Sequence, residues 1–211
     1  MKKMAFSALL ILFLPAVVFA QEKVEAPVWN VGDKWVFTGG ASIEVIKADQ
    51  NLYILNFSKN ICPQERAGFD KIAFEKSNLN RVHTLEGDKI KNYASYIKRR
   101  FNFPYYAGKE WKDTCSAKAY TGPMMGATLD FSETFKVLGW GNVEVKAGKF
   151  RSLKLVYTQE VTGPPSPIMG YQGQVTYWYS PEVKYFVKCE YEPFYFLGLP
   201  NWELTSFQLK K

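Results

Sequence analysis

The chain has 211 residues, 47% hydrophobic and 17% aromatic, with 27 Lys and Arg against 20 Asp and Glu for a formal charge of +7. That length fits one domain, or a domain with a small subdomain, and so thinly spread a surplus excludes the concentrated basic patch that nucleic-acid binding needs. A single histidine excludes H-E-x-x-H and every two-histidine metal site, so no metal and no cofactor is expected.

Met1-Lys2-Lys3 is a basic n-region, Ala5 to Phe19 is an apolar run broken at Pro15, and Val18-Phe19-Ala20 ends on a small residue before Gln21. This is the pattern of a secretory signal peptide over residues 1–20, cleaved after Ala20. The run falls short of the roughly 20 apolar residues of a spanning helix, and no Cys follows it for lipid attachment. The expectation is a periplasmic or secreted mature chain, residues 21–211, with no transmembrane segment. Losing Lys2 and Lys3 brings its charge to +5.

Short strands then follow one another with turn residues between them: Ile43 to Lys47, Leu52 to Phe57, Lys71 to Glu75, Arg81 to Leu85, Ile90 to Ile97 and Leu129 to Leu138. Asn78-Leu79-Asn80 and Gly87-Asp88 read as hairpin turns. His83 alternates with Val82 and Thr84, which favours a structural or exposed role over that of a lone general base. Lys98-Arg99-Arg100, running into Phe101, Phe103, Tyr105 and Tyr106, reads as a solvated strand end or as a grip on an anionic polymer or lipid headgroup. Only Asn60 to Gly68 and Met124-Met125 leave room for a short helix.

The densest alternation runs from Phe135 to Glu192. Phe135, Val137, Val143 and Val145 flank Gly139-Trp140-Gly141-Asn142, which reads as strand, turn, strand. Ala147-Gly148-Lys149 closes a second turn, where Gly148 is expected at positive φ. Leu153, Leu155 and Tyr157 share one face, as do Val175, Tyr177 and Tyr179, and again Tyr185, Val187, Cys189 and Tyr191. Ser180-Pro181-Glu182 turns the chain, and Trp202 to Leu209 is a last strand. Regular short spacing predicts an all-β fold, an antiparallel curved sheet, sandwich or incomplete barrel with at most short helices.

The run Val143-Glu144-Val145-Lys146-Ala147-Gly148-Lys149-Phe150, with Trp178-Tyr179-Ser180-Pro181-Glu182-Val183, resembles the V-x-V-P-A-G-x-F … W-Y-S-P-E-V pattern of bacterial exported proteins built on a domain of unknown function. Lys146 stands where that pattern has Pro. Val31-Gly32-Asp33-Lys34-Trp35 resembles the V-G-D-x-W opening of such proteins, and Pro104 to Trp111 their P-L-x-x-G-K-x-W segment. The resemblance implies a fold and carries no catalytic residue with it.

Three cysteines in an exported chain allow one internal bridge. Cys62 and Cys115, both beside turn-like sequence, are the expected pair, with other pairings open. Cys189 reads as a small buried hydrophobe. The Gly108-Lys109 and Gly148-Lys149 pairs lack the rest of a phosphate loop, and no G-x-S-x-G elbow exists, so no catalytic residue is assigned. Two apolar loops remain. Phe194, Phe196, Leu199 and Trp202 lie in or beside a run bounded by Pro193 and Pro200, and Met169 and Tyr171 belong to the Pro/Gly-rich stretch before it. Such runs either plug the end of a β core or line the mouth of an apolar pocket. Two functions follow. One is a non-catalytic binding module for a hydrophobic small molecule, a lipid or acyl chain, similar in plan to periplasmic lipoprotein carriers. The other is an envelope component that docks a partner protein through these loops.

Overall fold

The structure, a computed structural model, describes residues 21–58, 71–86, 89–91, 101–118, 128–162, 171–192 and 201–211. Wherever alternating apolar residues recur between turn residues, the chain forms antiparallel strands: β1 Lys34–Phe37, β2 Ser42–Ala48, β3 Leu52–Phe57, β4 Lys71–Glu75, β5 Arg81–Glu86, β6 Lys89–Lys91, β7 Glu110–Lys118, β8 Thr128–Val145, β9 Gly148–Thr162, β10 Tyr171–Ser180, β11 Tyr185–Tyr191 and β12 Trp202–Gln208. Thr38–Gly40 makes one 3-10 turn. The twelve strands form a single sheet in the order β6-β5-β4-β3-β2-β1-β12-β11-β10-β9-β8-β7. The sheet is curved and does not close into a barrel, so of the expected all-β forms the antiparallel curved sheet is the one the chain adopts. Two meanders, β1 to β6 and β7 to β11, meet where β12 pairs with both β1 and β11.

The curl is read from the rings. Trp29 lies within 6.1 Å, centroid to centroid, of Trp35, Tyr53, Phe74, Phe101 and Tyr185. Apart from Phe101, these partners sit on β1, β3, β4 and β11, which one ring reaches only if the sheet wraps round it. Phe101 and Tyr105 are likewise buried, with Phe101 stacked on Phe186 at 5.3 Å. The segments 21–33 and 101–109 thus fill the inner face with their own aromatics. The aromatic residues that follow Lys98-Arg99-Arg100 therefore include core side chains rather than an exposed grip, because their apolar area is worth more in the core than at a surface.

The motifs are packing devices that converge. Trp29 Nε1 donates to the Lys184 carbonyl at 3.0 Å and Trp35 Nε1 to the Val183 carbonyl at 2.8 Å, which docks the opening motif on the turn that ends Ser180-Pro181-Glu182-Val183. Asp33 is fully buried and accepts from the backbone N–H groups of Asn30 at 2.9 Å and Lys210 at 2.6 Å. Lys109 donates its ammonium to the carbonyls of Asn102 and Pro104 and to Asn102 Oδ1, and burial pulls its pKa below the usual lysine value. It pins the 101–109 segment, and Trp111 stacks on Phe135 at 5.0 Å.

Three expectations are corrected. Gly139-Trp140-Gly141-Asn142 is no turn: β8 runs unbroken through it with a bulge, Val137 facing Leu155 while Gly139 faces Lys154. Gly139, at φ 143°, supplies the backbone freedom that such a bulge needs. The extra residue moves Val143 and Val145 to the face opposite Phe135 and Val137, although all four keep one sequence parity. There they are buried, and their neighbour Phe150 meets Phe207 at 5.9 Å. Second, Asp113-Thr114-Cys115 is strand, not turn, because β7 pairs along β8 over nine residues. Third, β1 adds a strand within the opening motif. The candidate helical stretches 60–68 and 124–125, and residues 92–97 of the expected strand, lie outside the described residues.

The β8–β9 hairpin turns on Lys146-Ala147, with Val145 opposite Gly148. Gly148 has φ 140°, and a Cβ there would stand 3.5 Å from the Phe150 ring. Gly148→Val forces a β-branched residue into this region and should cost about 1–3 kcal/mol, read as a lower denaturation midpoint at unchanged m-value. Asp33→Ala strips two backbone donors of their acceptor and should cost about 1–3 kcal/mol, measured by the same denaturant titration.

Candidate functional site

The register of β7 to β12 lays inner-face residues in cross-strand rows. One row is apolar, Val137, Leu155, Tyr177, Cys189 and Trp202. The next is aromatic along most of its length, Trp111, Phe135, Tyr157, Val175 and Tyr191. Beyond it lies a polar row, Asp113, Glu133, Gln159 and Gly173. Glu133 is 2% exposed, and its Oε1 accepts from the Tyr157 hydroxyl at 2.6 Å and from Gln159 Nε2 at 3.0 Å. A buried carboxylate needs such donors to offset lost hydration. Glu133 and Gln159 carry a sequence signal that went unread: each occupies the apolar phase of its strand, in step with Phe135 and with Tyr157.

Of the residues singled out from sequence, Trp202 is the one whose side chain the structure places. It opens β12, is 6% exposed and meets Phe37 edge to face at 4.9 Å. Its indole N–H is buried and has no hydrogen-bond partner among the described residues. Tyr171 opens β10 opposite Val161, and Cys115 lies within β7 opposite Phe131. Cys62, Met169, Phe194, Phe196 and Leu199 lie outside the described residues, and with them the Cys62–Cys115 pairing and most of both apolar loops. Cys189 is fully buried on the apolar row, as its strand phase predicts. His83 is half-buried opposite Ala73. Among the described residues no group of three His, Cys, Asp or Glu side chains is placed to hold a metal ion, and no helix is long and apolar enough to cross a membrane.

A second feature lies at the other end of the β8–β9 hairpin, where residues 21–25 form a strap. Val24 exchanges two backbone hydrogen bonds with Tyr105, both 2.8 Å, and Gln21 Nε2 donates to the Ala107 carbonyl. Arg151 grips both oxygens of Glu22 at 2.8 and 2.6 Å, and its guanidinium lies 3.9 Å from the Trp140 ring centre. The bulge aims Trp140 here, since it restores Trp140 to the face of Leu153. The strap, Trp140, Arg151 and the Pro181-Glu182 turn enclose a cleft of about 470 Å³.

The Arg151 hydrogen bonds hold the Glu22 carboxyl below the ordinary carboxylate range, and Glu22 raises Arg151 in turn. A carboxyl lowered by folding supports the strap above the ordinary Glu pKa, and that support is lost as the pH falls through the lowered folded value. Acidification across that window should therefore raise amide exchange at Val24 and Tyr105, corrected for intrinsic rates, while core strands stay protected. Arg151→Ala should reproduce the effect at neutral pH.

No protein-family profile matches the chain, and no curated protein does. Among solved structures it is similar to one from Parabacteroides distasonis provisionally described as a lipoprotein, at 15% identity and TM-score 0.48, covering 89% of this chain and 100% of that one. It is also similar to a chain from Bacteroides fragilis, provisionally described as an exported protein with a YmcC-like fold, at 14% identity and TM-score 0.41, covering 88% and 99%. The hypothetical lipoprotein YmcC of Escherichia coli matches at 15% identity and TM-score 0.36, covering 89% and 90%. At such identities these likenesses carry no functional residue across.

Proposed function

We propose that this chain is an exported, non-catalytic binding module of the cell envelope that takes up a hydrophobic ligand with an acyl carbonyl, a lipid or fatty acyl chain. The site is centred on Trp202 at the start of β12, directly after the apolar run from Pro193 to Pro200 in the sequence. The observation that carries this reading is the unmet indole N–H of Trp202. A buried donor without an acceptor costs about 1–3 kcal/mol, and an acyl carbonyl brought to Trp202 would meet it. The signal-peptide pattern and the motif resemblance to exported proteins support the compartment.

The second reading, a component that docks an envelope protein, draws on β7. This nine-residue strand is a terminal strand of the sheet, hydrogen-bonded to β8 along one side, and edges of that kind accept an added strand. A stable complex in an affinity pull-down, with no lipid detected, would favour it.

Native mass spectrometry of protein purified from its own envelope should find copurifying lipid. Trp202→Phe removes the donor and keeps a ring. It should lower the affinity for a fluorescent fatty acid by about fivefold to tenfold, the worth of one hydrogen bond, without lowering thermal stability. Unchanged uptake in that variant, together with no copurifying lipid, would overturn the proposal.

A further inference from the structure

Independently of the Trp202 site, we propose that the cleft beneath the 21–25 strap binds a neutral, hydroxyl-rich ligand, a saccharide. Its size, about 470 Å³, lies within the range of small-molecule sites. The argument rests on what lines it: Glu22, Glu25 and Glu182, with Trp140, Arg151 and Pro181. Three carboxylates share the wall with Arg151 and Lys23, so both signs are present, with the acids in excess, and an anionic ligand is disfavoured. Its exposed rings are those of Trp140 and Pro181, since Val24, though it borders the cleft, is only 9% exposed.

Planar polar groups stand around an indole there, and that set matches a sugar ring. Carboxylate oxygens accept from adjacent hydroxyls and a guanidinium donates to them. The indole and the Pro181 ring take the C–H face. The polar groups are held in place beforehand: Glu22 occupies two guanidinium nitrogens, Trp140 backs the same group at 3.9 Å, and Arg151 keeps further N–H donors for the ligand. Side chains fixed in this way lose little entropy on binding. The β8 bulge supplies a structural cause, since it is what puts Trp140 on this face, and bulges recur where a side chain must be re-aimed.

The mature full-length chain should be titrated by calorimetry with maltose, cellobiose and N,N′-diacetylchitobiose, with glucuronate as the anionic control. Saturable binding of at least one of the three is expected. Arg151→Lys, which keeps the charge and loses the fork, and Glu182→Gln, on an exposed turn, should each weaken it by about tenfold or more, the worth of one or two charge-assisted hydrogen bonds. Trp202→Phe should leave it unchanged, which keeps this site separable from the acyl site. The inference is overturned if none of the three disaccharides binds at millimolar concentration, if both cleft variants bind as the parent does, or if glucuronate binds more tightly than the neutral sugars.

Discussion

The structure depends on two indole N–H groups meeting two consecutive carbonyls. Trp29 and Trp35 donate to Lys184 and Val183, and in doing so fasten the start of the described chain to the turn between β10 and β11. Each tryptophan is buried to about 1% exposure or less, so each must find an acceptor inside. The turn offers them because Lys184 sits at φ 61°, so the chain reverses there and leaves these carbonyls outside the β10–β11 ladder. With the rings so placed, Tyr185 stacks on Trp35 at 5.0 Å, and Phe101 and Phe186 close over them. The curl of the sheet is in this sense the shape that lets strands far apart in sheet order share one aromatic cluster.

Much of the fold was legible because apolar alternation is a direct imprint of a half-buried strand. The edges of β3 and β4 and the burial of Leu153, Leu155, Tyr157 and Cys189 follow from period two alone. The reading failed where local chemistry has two outcomes. Gly139-Trp140-Gly141-Asn142 has turn residues, yet a bulge satisfies the same glycine and lets the strand continue. Glu110 to Lys118 lacks an apolar stripe because β7 pairs with β8 alone, so its strand identity comes from β8 and not from its own pattern.

The candidate sites were less legible than the fold, for a different reason. Glu22, Trp140 and Arg151 lie as much as 129 residues apart, and their meeting depends on a parity change that no spacing rule announces. The Glu133, Tyr157 and Gln159 network was legible in principle, since a carboxylate and an amide stand in apolar phase. Trp202 was singled out as an apolar anchor. What the structure adds is the opposite property, a polar hydrogen left without an acceptor.

The seam of the sheet has a kinetic consequence. β12 pairs with β1 and β11 and so joins the two meanders, yet it is the last of the described strands in chain order. Each meander is built from neighbours in sequence and closes short loops. The pairing of Lys34 with Gln208 spans nearly the whole described chain and has to wait for it. Until that strand arrives, β1 and β11 both present open edges and the large rings between them lack their cover. Docking of β12, rather than growth of either half, is therefore the step that joins the two meanders, and the edges open before it are what a chaperone has most to shield.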